Sequence, residues 1–229
     1  MGPSSQRPAA TSRDVAPGAH SRRDERRAHE IARRRLHILT AAAATFGAKG
    51  YHDAQISDIA AAAEVSRASI YAMFENKQDL YAEVISSAAK TIDEIVHAAV
   101  ERQDDPAEAL LCVIDTLLEC YEANLDLLRI YTLGTHGLRF KAREVIGDSS
   151  LEIFVEFTSW VVSLAKRAKQ AGYLRDHDPE AVAVSLVGSI TSVAARFIES
   201  SPERSLSEAV PLLRSVFRDV VGDAPESSS

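Results

Sequence analysis

The stretch Ile56–Lys77, ISDIAAAAEVSRASIYAMFENK, decides how the rest of the chain is read. Ile56, Ile59, Ala60 and Ala63 recur at i, i+3, i+4 and i+7, the spacing of one helical face. Ala63-Glu64-Val65-Ser66 reads as a turn. Ser66 is placed to cap a second helix, because its hydroxyl can accept an orphan backbone N–H of the first turn. Val65 before the cap and Ile70 after it form a hydrophobic staple that fixes the entry angle of the chain. Ile70 and Phe74 then point inward, and Met73 reads as core. Arg67, Ala68, Ser69, Tyr71 and Ala72 remain outside. A short helix that exposes one arginine, small residues and a tyrosine, braced by an alanine-rich partner, suits a DNA major groove.

Working outward, a long helix is expected from near Asp24 or Arg33 to Lys49, with Leu36, Leu39, Ala43 and Phe46 as its apolar stripe. Gly50 follows as a natural residue for leaving a helix. On the other side, Asn76 caps a helix with Asp79 at its third position, running to about Arg102 before Asp104-Asp105-Pro106. Upstream, Arg22, Arg23, Arg26, Arg27, Arg33, Arg34 and Arg35 cluster. They form either a solvated helix start, partly paired to Asp24, Glu25 and Glu30, or an arm along the DNA backbone or in a minor groove. Residues 1–21, rich in Pro, Ser, Gly and Ala, and the 223–229 tail read as disordered.

The 229 residues, 46% of them apolar, suffice for a sizeable core. No stretch alternates with period two for long, so the expected class is all-α. No apolar run approaches the roughly 20 residues of a membrane span. The polar N-terminus lacks the apolar segment of a signal peptide, so the cytoplasm is the expected location and no membrane partner is expected. The formal charge of −7 argues against nucleic acid only until its distribution is considered. Residues 1–80 carry 12 Lys+Arg against 9 Asp+Glu, and the remainder 14 against 24. A basic end on an acidic body points to a polyanion partner. Cys112 and Cys120 stand about 12 Å apart along one expected helix, too far for a bridge, and read as free thiols.

Catalysis finds little support. The seven histidines form no H-x-x-x-H or H-E-x-x-H pair. There is no G-x-S-x-G elbow, no phosphate-cradling glycine loop and no C-x-x-C spacing. The chain therefore reads as no enzyme, with no metal site and no cofactor.

Four fragments in register carry a resemblance: FGAKGY at 46–51, ISDIAxAA at 56–63, VSRASIY at 65–71 and FENKxxL at 74–80. Together they resemble the N-terminal domain of TetR-family transcriptional regulators. Two positions depart from that pattern. Glu64 stands where the family usually has Gly, costing roughly 1 kcal/mol if its φ is positive. Gln55 stands where the family usually caps with Thr or Ser, so Asp53 or the Ser57 hydroxyl is expected to take over.

The resemblance implies a three-helix helix-turn-helix DNA-binding domain at 22–77 and a helical-bundle domain for ligand binding and dimerisation at 78–222. It implies a homodimer that binds a palindromic double-stranded operator and is released by a small-molecule effector. The alternative is a ligand-independent regulator whose C-terminal domain only dimerises or docks a protein. The expected DNA-binding residues are Arg33, Ser57, Arg67, Ala68, Ser69, Tyr71, Ala72 and Lys77. Arg67 suits guanine, Ala68 and Ala72 suit thymine methyls, and Ser69 a base edge or phosphate. By resemblance, Tyr71 and Lys77 hold phosphates, with Ser57 at a helix N-terminus assisting.

In the C-terminal part, Pro106 starts a helix with Leu110, Ile114, Leu117 and Tyr121 on one face. Residues 124–146 are less regular, interrupted by Gly134 and Gly137, and a long helix is expected from Ser150 to Ala171. Asp178-Pro179-Glu180 opens the next helix. That helix carries two stripes: a small one (Ala181, Ser185, Gly188, Ser192, Ala195) and a large one (Val182, Leu186, Ile190, Val193, Phe197). The last helix carries Leu206, Ala209, Leu213, Val216 and Val220. By resemblance, the last two helices make the dimer interface. Tyr121, Tyr131, His136, Phe154, Phe157 and Trp160 are the candidates to line a ligand cavity, suited to an uncharged or weakly polar, partly aromatic ligand.

Overall fold

The computed structural model describes residues 17–125, Leu128, 139–200 and 204–223. All regular secondary structure among these residues is helical, as the sequence pattern predicts. The chain forms two compact units, one ending at His37 and one beginning at Ile38.

Helix α1 (Pro17–Asp53) starts inside the tail read as disordered; residues 1–16 and 224–229 of the two tails lie outside the described residues. Proline at a helix start is favourable, since its missing N–H has no intrahelical partner to lose. At Gly50 the backbone turns to φ 76°, ψ 166°, breaking the helix where the sequence predicts. The buried stripe of α1 is Ile38, Leu39, Ala42 and Phe46. Leu36 is 60% exposed, which corrects the sequence reading. It lies two residues before Ile38, about 200° around the helix, and so on the opposite side.

Helices α2 (Ile56–Ala62), α3 (Arg67–Tyr71) and α4 (Lys77–Val100) follow. Ile56, Ile59, Ala60, Ile70, Phe74, Leu80, Val84 and Ile85 join the α1 stripe in one buried cluster. Phe46 meets Tyr81 edge-on at 5.0 Å, and Tyr51 lies 4.7 Å from Tyr81. Burial pushes the Tyr81 hydroxyl up to about 12, with Tyr51 adding to the shift.

The second cluster is built around α5 (Pro106–Ala123). This helix buries Leu110, Leu111, Val113, Ile114, Leu117 and Leu118, more than one face, because other helices surround it. They are α4, α6 (Arg139–Gln170), α7 (Pro179–Ser200) and α8 (Val210–Val221), with a 3-10 turn at Leu206–Ala209. Helix α6 begins at Arg139 rather than at Ser150. Gly147 within it costs only about 1 kcal/mol against alanine, too little to end a helix that is otherwise supported. It ends as a Schellman motif at Gly172 (φ 93°), with Tyr173 N–H donating to the Ala168 carbonyl at 3.0 Å and Gly172 N–H to Lys169 at 3.1 Å.

Helix α7 opens as expected, with the Asp178 carboxylate accepting from Ala181 N–H at 2.8 Å. Val182, Ala183, Leu186, Val187, Ile190 and Ala194 are buried. Ala181, Ser185, Gly188 and Ser192 are exposed, and a Cβ placed on Gly188 would meet nothing within 4 Å. The small stripe is thus an open face of the single chain. Pro179–Phe197, with a mean hydropathy of 1.3, is long and apolar enough by composition to cross a membrane. This corrects the expectation that no run approaches that length; packing of one side into the bundle accounts for much of its apolar character. On α8, Leu213, Phe217 and Val221 face inward, whereas Leu212 is 65% and Val216 48% exposed. Val216 is therefore outside the core stripe to which the sequence pattern assigns it, and Phe217 takes that role.

Candidate nucleic-acid interface

The reading head is set by caps. Ser66 Oγ accepts the Ser69 N–H at 3.1 Å, as predicted, and also lies 2.8 Å from Ser69 Oγ. Val65 is half-buried against the cluster that contains Ile70, consistent with the staple. The turn before it is a Schellman motif: Val65 N–H reaches the Ala60 carbonyl at 2.9 Å and Glu64 N–H the Ala61 carbonyl at 3.2 Å. Glu64 carries φ 51°, so the strain anticipated from the missing glycine is present.

At the start of α2, Asp58 is the side chain that engages the backbone, rather than Asp53 or Ser57. Its carboxylate accepts Gln55 N–H at 3.3 Å and Lys49 Nζ at 2.7 Å. It occupies the third helical position, from which an acidic side chain reaches back across the cap. The Lys49 bond, then the Gln55 N–H, hold its carboxyl below the usual carboxylate range. Asn76 caps α4 through Asp79 N–H at 2.9 Å, and Asp79 in turn accepts Glu75 N–H at 2.9 Å.

With these ends fixed, Arg67, Ala68, Tyr71 and Ala72 are exposed on or beside α3, and Ser69 is half-buried beside its cap. Ser57 is exposed in the first turn of α2. Arg33 is exposed on α1, in the unit that ends at His37. Lys77 has work that its sequence position does not suggest. Its ammonium donates to the carbonyls of Ala54 at 2.8 Å and His52 at 3.2 Å, and stands 4.6 Å from the centre of the Tyr51 ring. It thereby fastens the first turn of α4 to the chain leaving α1. A third N–H remains for a phosphate.

Farther along α4, a cavity of about 110 Å³ opens between α4, α5 and α6. Its wall includes Ile85, Ala88, Ala89 and Ile92 of α4, with Asp93, Tyr121 and Asn124 as polar members. Of the candidate ligand residues, Tyr121, Phe154 and Phe157 line it. Trp160 does not; its ring stacks on His97 at 3.7 Å. Tyr131 and His136 lie outside the described residues. The α4 contribution escaped the sequence reading because alanine and isoleucine at helical spacing look the same in a core and in a cavity wall.

A helix-turn-helix with an exposed second helix, carried on a helical bundle, defines a DNA-binding regulator. Residues 38–84 match the family model of the bacterial regulatory proteins of the tetR family. That match covers about a fifth of the chain and marks residues 38–84 as a tetR-family DNA-binding segment. It is similar to the HTH-type transcriptional regulator YdgC of Bacillus subtilis, with 24% identity over 78% of this chain and 90% of that protein. Its fold matches that of the fatty acid degradation regulator FadR from Bacillus halodurans, with a TM-score of 0.71 and 20% identity over 80% of this chain and 93% of that one. It also matches FadR from Bacillus subtilis in complex with stearoyl-CoA, with a TM-score of 0.71 and 19% identity over 82% of this chain and 97% of that one.

Proposed function

We propose that the chain is a cytoplasmic homodimeric repressor whose operator affinity is lowered by an apolar ligand of acyl type. Two reading heads sit in successive major grooves of a pseudo-palindromic operator. Arg67 pairs with guanine, and Ala68 and Ala72 pack on thymine methyls. Ser69 reaches a base edge, while Ser57, Tyr71, Lys77 and Arg33 contact phosphates. The open face of α7, with exposed Leu212 and Val216 on α8, is the surface for the second copy.

The observation that carries the ligand response is that one helix serves both sites. Ile85, Ala88, Ala89 and Ile92 form cavity wall on α4, and Lys77 at its start holds the Ala54 and His52 carbonyls beside the reading head. A cavity of about 110 Å³ is small against the 300–1,000 Å³ of ordinary ligand sites. An acyl chain therefore binds best to a conformer in which α4 stands farther from α6. Such a ligand shifts the population toward a different placement of the reading head. The likeness in fold to a regulator solved with stearoyl-CoA supports the ligand class.

The test begins by selecting operator sites from a random DNA pool, then titrating acyl-CoA esters of increasing chain length. The expected result is a chain-length-dependent rise in melting temperature together with a fall in operator affinity. A ligand that bound the free and operator-bound protein equally tightly would overturn the response. The small cavity itself favours the second reading, a ligand-independent regulator; absence of any ligand-induced change in melting temperature across the series would overturn the acyl ligand.

A further inference from the structure

The seven clustered arginines are not spread evenly around α1. At 100° per residue, Arg22, Arg26 and Arg33 form one column and Arg23, Arg27 and Arg34 a second beside it, all within an arc of about 140°. Every one of these six is exposed. Glu30 falls between the columns and is the one acidic residue in the arc from Arg22 to Arg34. Asp24, Glu25, Ala28 and Ala32 fall on the other side of the helix. The Arg26 Nε–H donates to the Arg22 carbonyl at 3.2 Å.

We propose that this arginine face is a sequence-neutral DNA-binding surface that follows the phosphate backbone of a duplex. The proposal rests on the reading of the chain as a DNA-binding regulator and extends it beyond the helix-turn-helix. Of the two arms the sequence allows, helical structure selects one. An α-helix about 10–12 Å across cannot enter a minor groove about 6 Å wide. The face from Arg22 to Arg34 spans about 18 Å, over which a duplex carries roughly ten phosphate charges. Guanidinium groups match phosphate in a two-pronged geometry and carry no base code unless they reach a groove edge. The guanidinium charge of this face therefore adds affinity for any duplex, which concentrates the protein on DNA and leaves discrimination to α3.

The test compares the full chain with Arg22→Gln/Arg26→Gln/Arg33→Gln, with Arg23→Gln/Arg27→Gln/Arg34→Gln and with all six changes. Glutamine keeps helix propensity close to that of arginine, and circular dichroism checks that α1 persists. Affinity is measured by fluorescence anisotropy for a selected operator duplex and a scrambled duplex, across a salt series. Removing one arginine–phosphate pair lowers the slope of log K against log salt by about 0.9, so the sixfold variant, which removes up to twelve pairs from the proposed dimer, should show a slope smaller by about 4 to 11. Both duplexes should weaken by the same factor. An unchanged slope, the result for a merely solvated helix face, would overturn the proposal. So would a change in the ratio between the two duplexes. Arg67→Ala separates this result from failure of the helix-turn-helix reading, because it should change base preference at one position of each half-site while the arginine face stays intact.

Discussion

The two buried clusters of this chain differ in what they leave unfinished. The reading-head cluster, from Ile38 to Ile85, is closed by aromatic contacts and by a cap at each helix junction. What it exposes on α3 is small or polar apart from Tyr71. The bundle cluster, from Val96 to Val221, adjoins a cavity and leaves Val184, Leu212 and Val216 in the open. Each part therefore finds its complement in a different place. The head is shaped to act as a rigid body on a polyanion. The bundle leaves apolar surface uncovered, which the proposed function assigns to a ligand and a second copy.

The contrast fails first at the head's centre. Phe46 is 1% exposed and packs on Tyr81 and Tyr51. Phe46→Ala should cost about 3–5 kcal/mol, the range for emptying such a site, and abolish operator binding. Chemical denaturation and anisotropy read the two losses together. Next comes the open face: Leu212→Glu with Val216→Glu should give a monomer by sedimentation while the helical signal is retained. Losing the second reading head should weaken operator binding about a hundredfold, or about 2.7 kcal/mol. A dimer surviving both glutamates would place the interface elsewhere.

The third test addresses polar stitching in the bundle. Asp105 caps α5 through Ala107 and Glu108 N–H at 2.7 and 3.0 Å, and accepts the Tyr173 hydroxyl at 2.6 Å. The Tyr173 bond, followed by the Glu108 N–H, holds the Asp105 carboxyl below its ordinary range. A depressed folded-state value means stability that is present above the unfolded value, near 4, and is lost as pH falls through the folded one. The same bond raises the Tyr173 hydroxyl, so its share is present below about pH 10 and is lost at higher pH. Asp105→Ala should cost about 1 kcal/mol at neutral pH and flatten the acid limb of a stability–pH curve. Arg214 adds bonds to Glu108 and Asp115, and Arg218 a second bond to Glu108 at 2.7 Å. Burial nonetheless pushes Asp115 up against the pull of Arg214, and its Oδ1 is buried with no hydrogen-bond partner among the described residues.

The smallest effect refines the contrast within the head. Glu64 holds φ 51° in the turn between α2 and α3. Glu64→Gly should raise stability by about 0.5–1 kcal/mol by relieving that conformation, visible as a higher denaturation midpoint. A lower midpoint instead would mean that the Glu64 side chain contributes more than its backbone costs.

Local chemistry was legible in the chain itself. The Ser66 and Asn76 caps, the stop at Gly50, the proline start of α7 and the inward Ile70 and Phe74 follow from residue types within a few positions of each other. Helical spacing also separated the two stripes of α7. Leu36 and Val216 were misplaced because an apolar residue at the right spacing reads as core whether or not a partner covers it. The bonds of Lys77 to the Ala54 and His52 carbonyls were not legible, because those residues lie more than twenty positions upstream.

Residue order was enough to set most of the helices, most of their ends and the reading head, since caps, turns and apolar periodicity act over one or two turns of backbone. Packing was needed to decide that α4 forms both a cavity wall and the latch at Lys77, that Arg214 reaches Glu108 and Asp115, and that Tyr173 reaches Asp105. Those contacts join residues far apart in the chain. They exist only once the packing of α5 against its neighbours has fixed which side of each helix faces which.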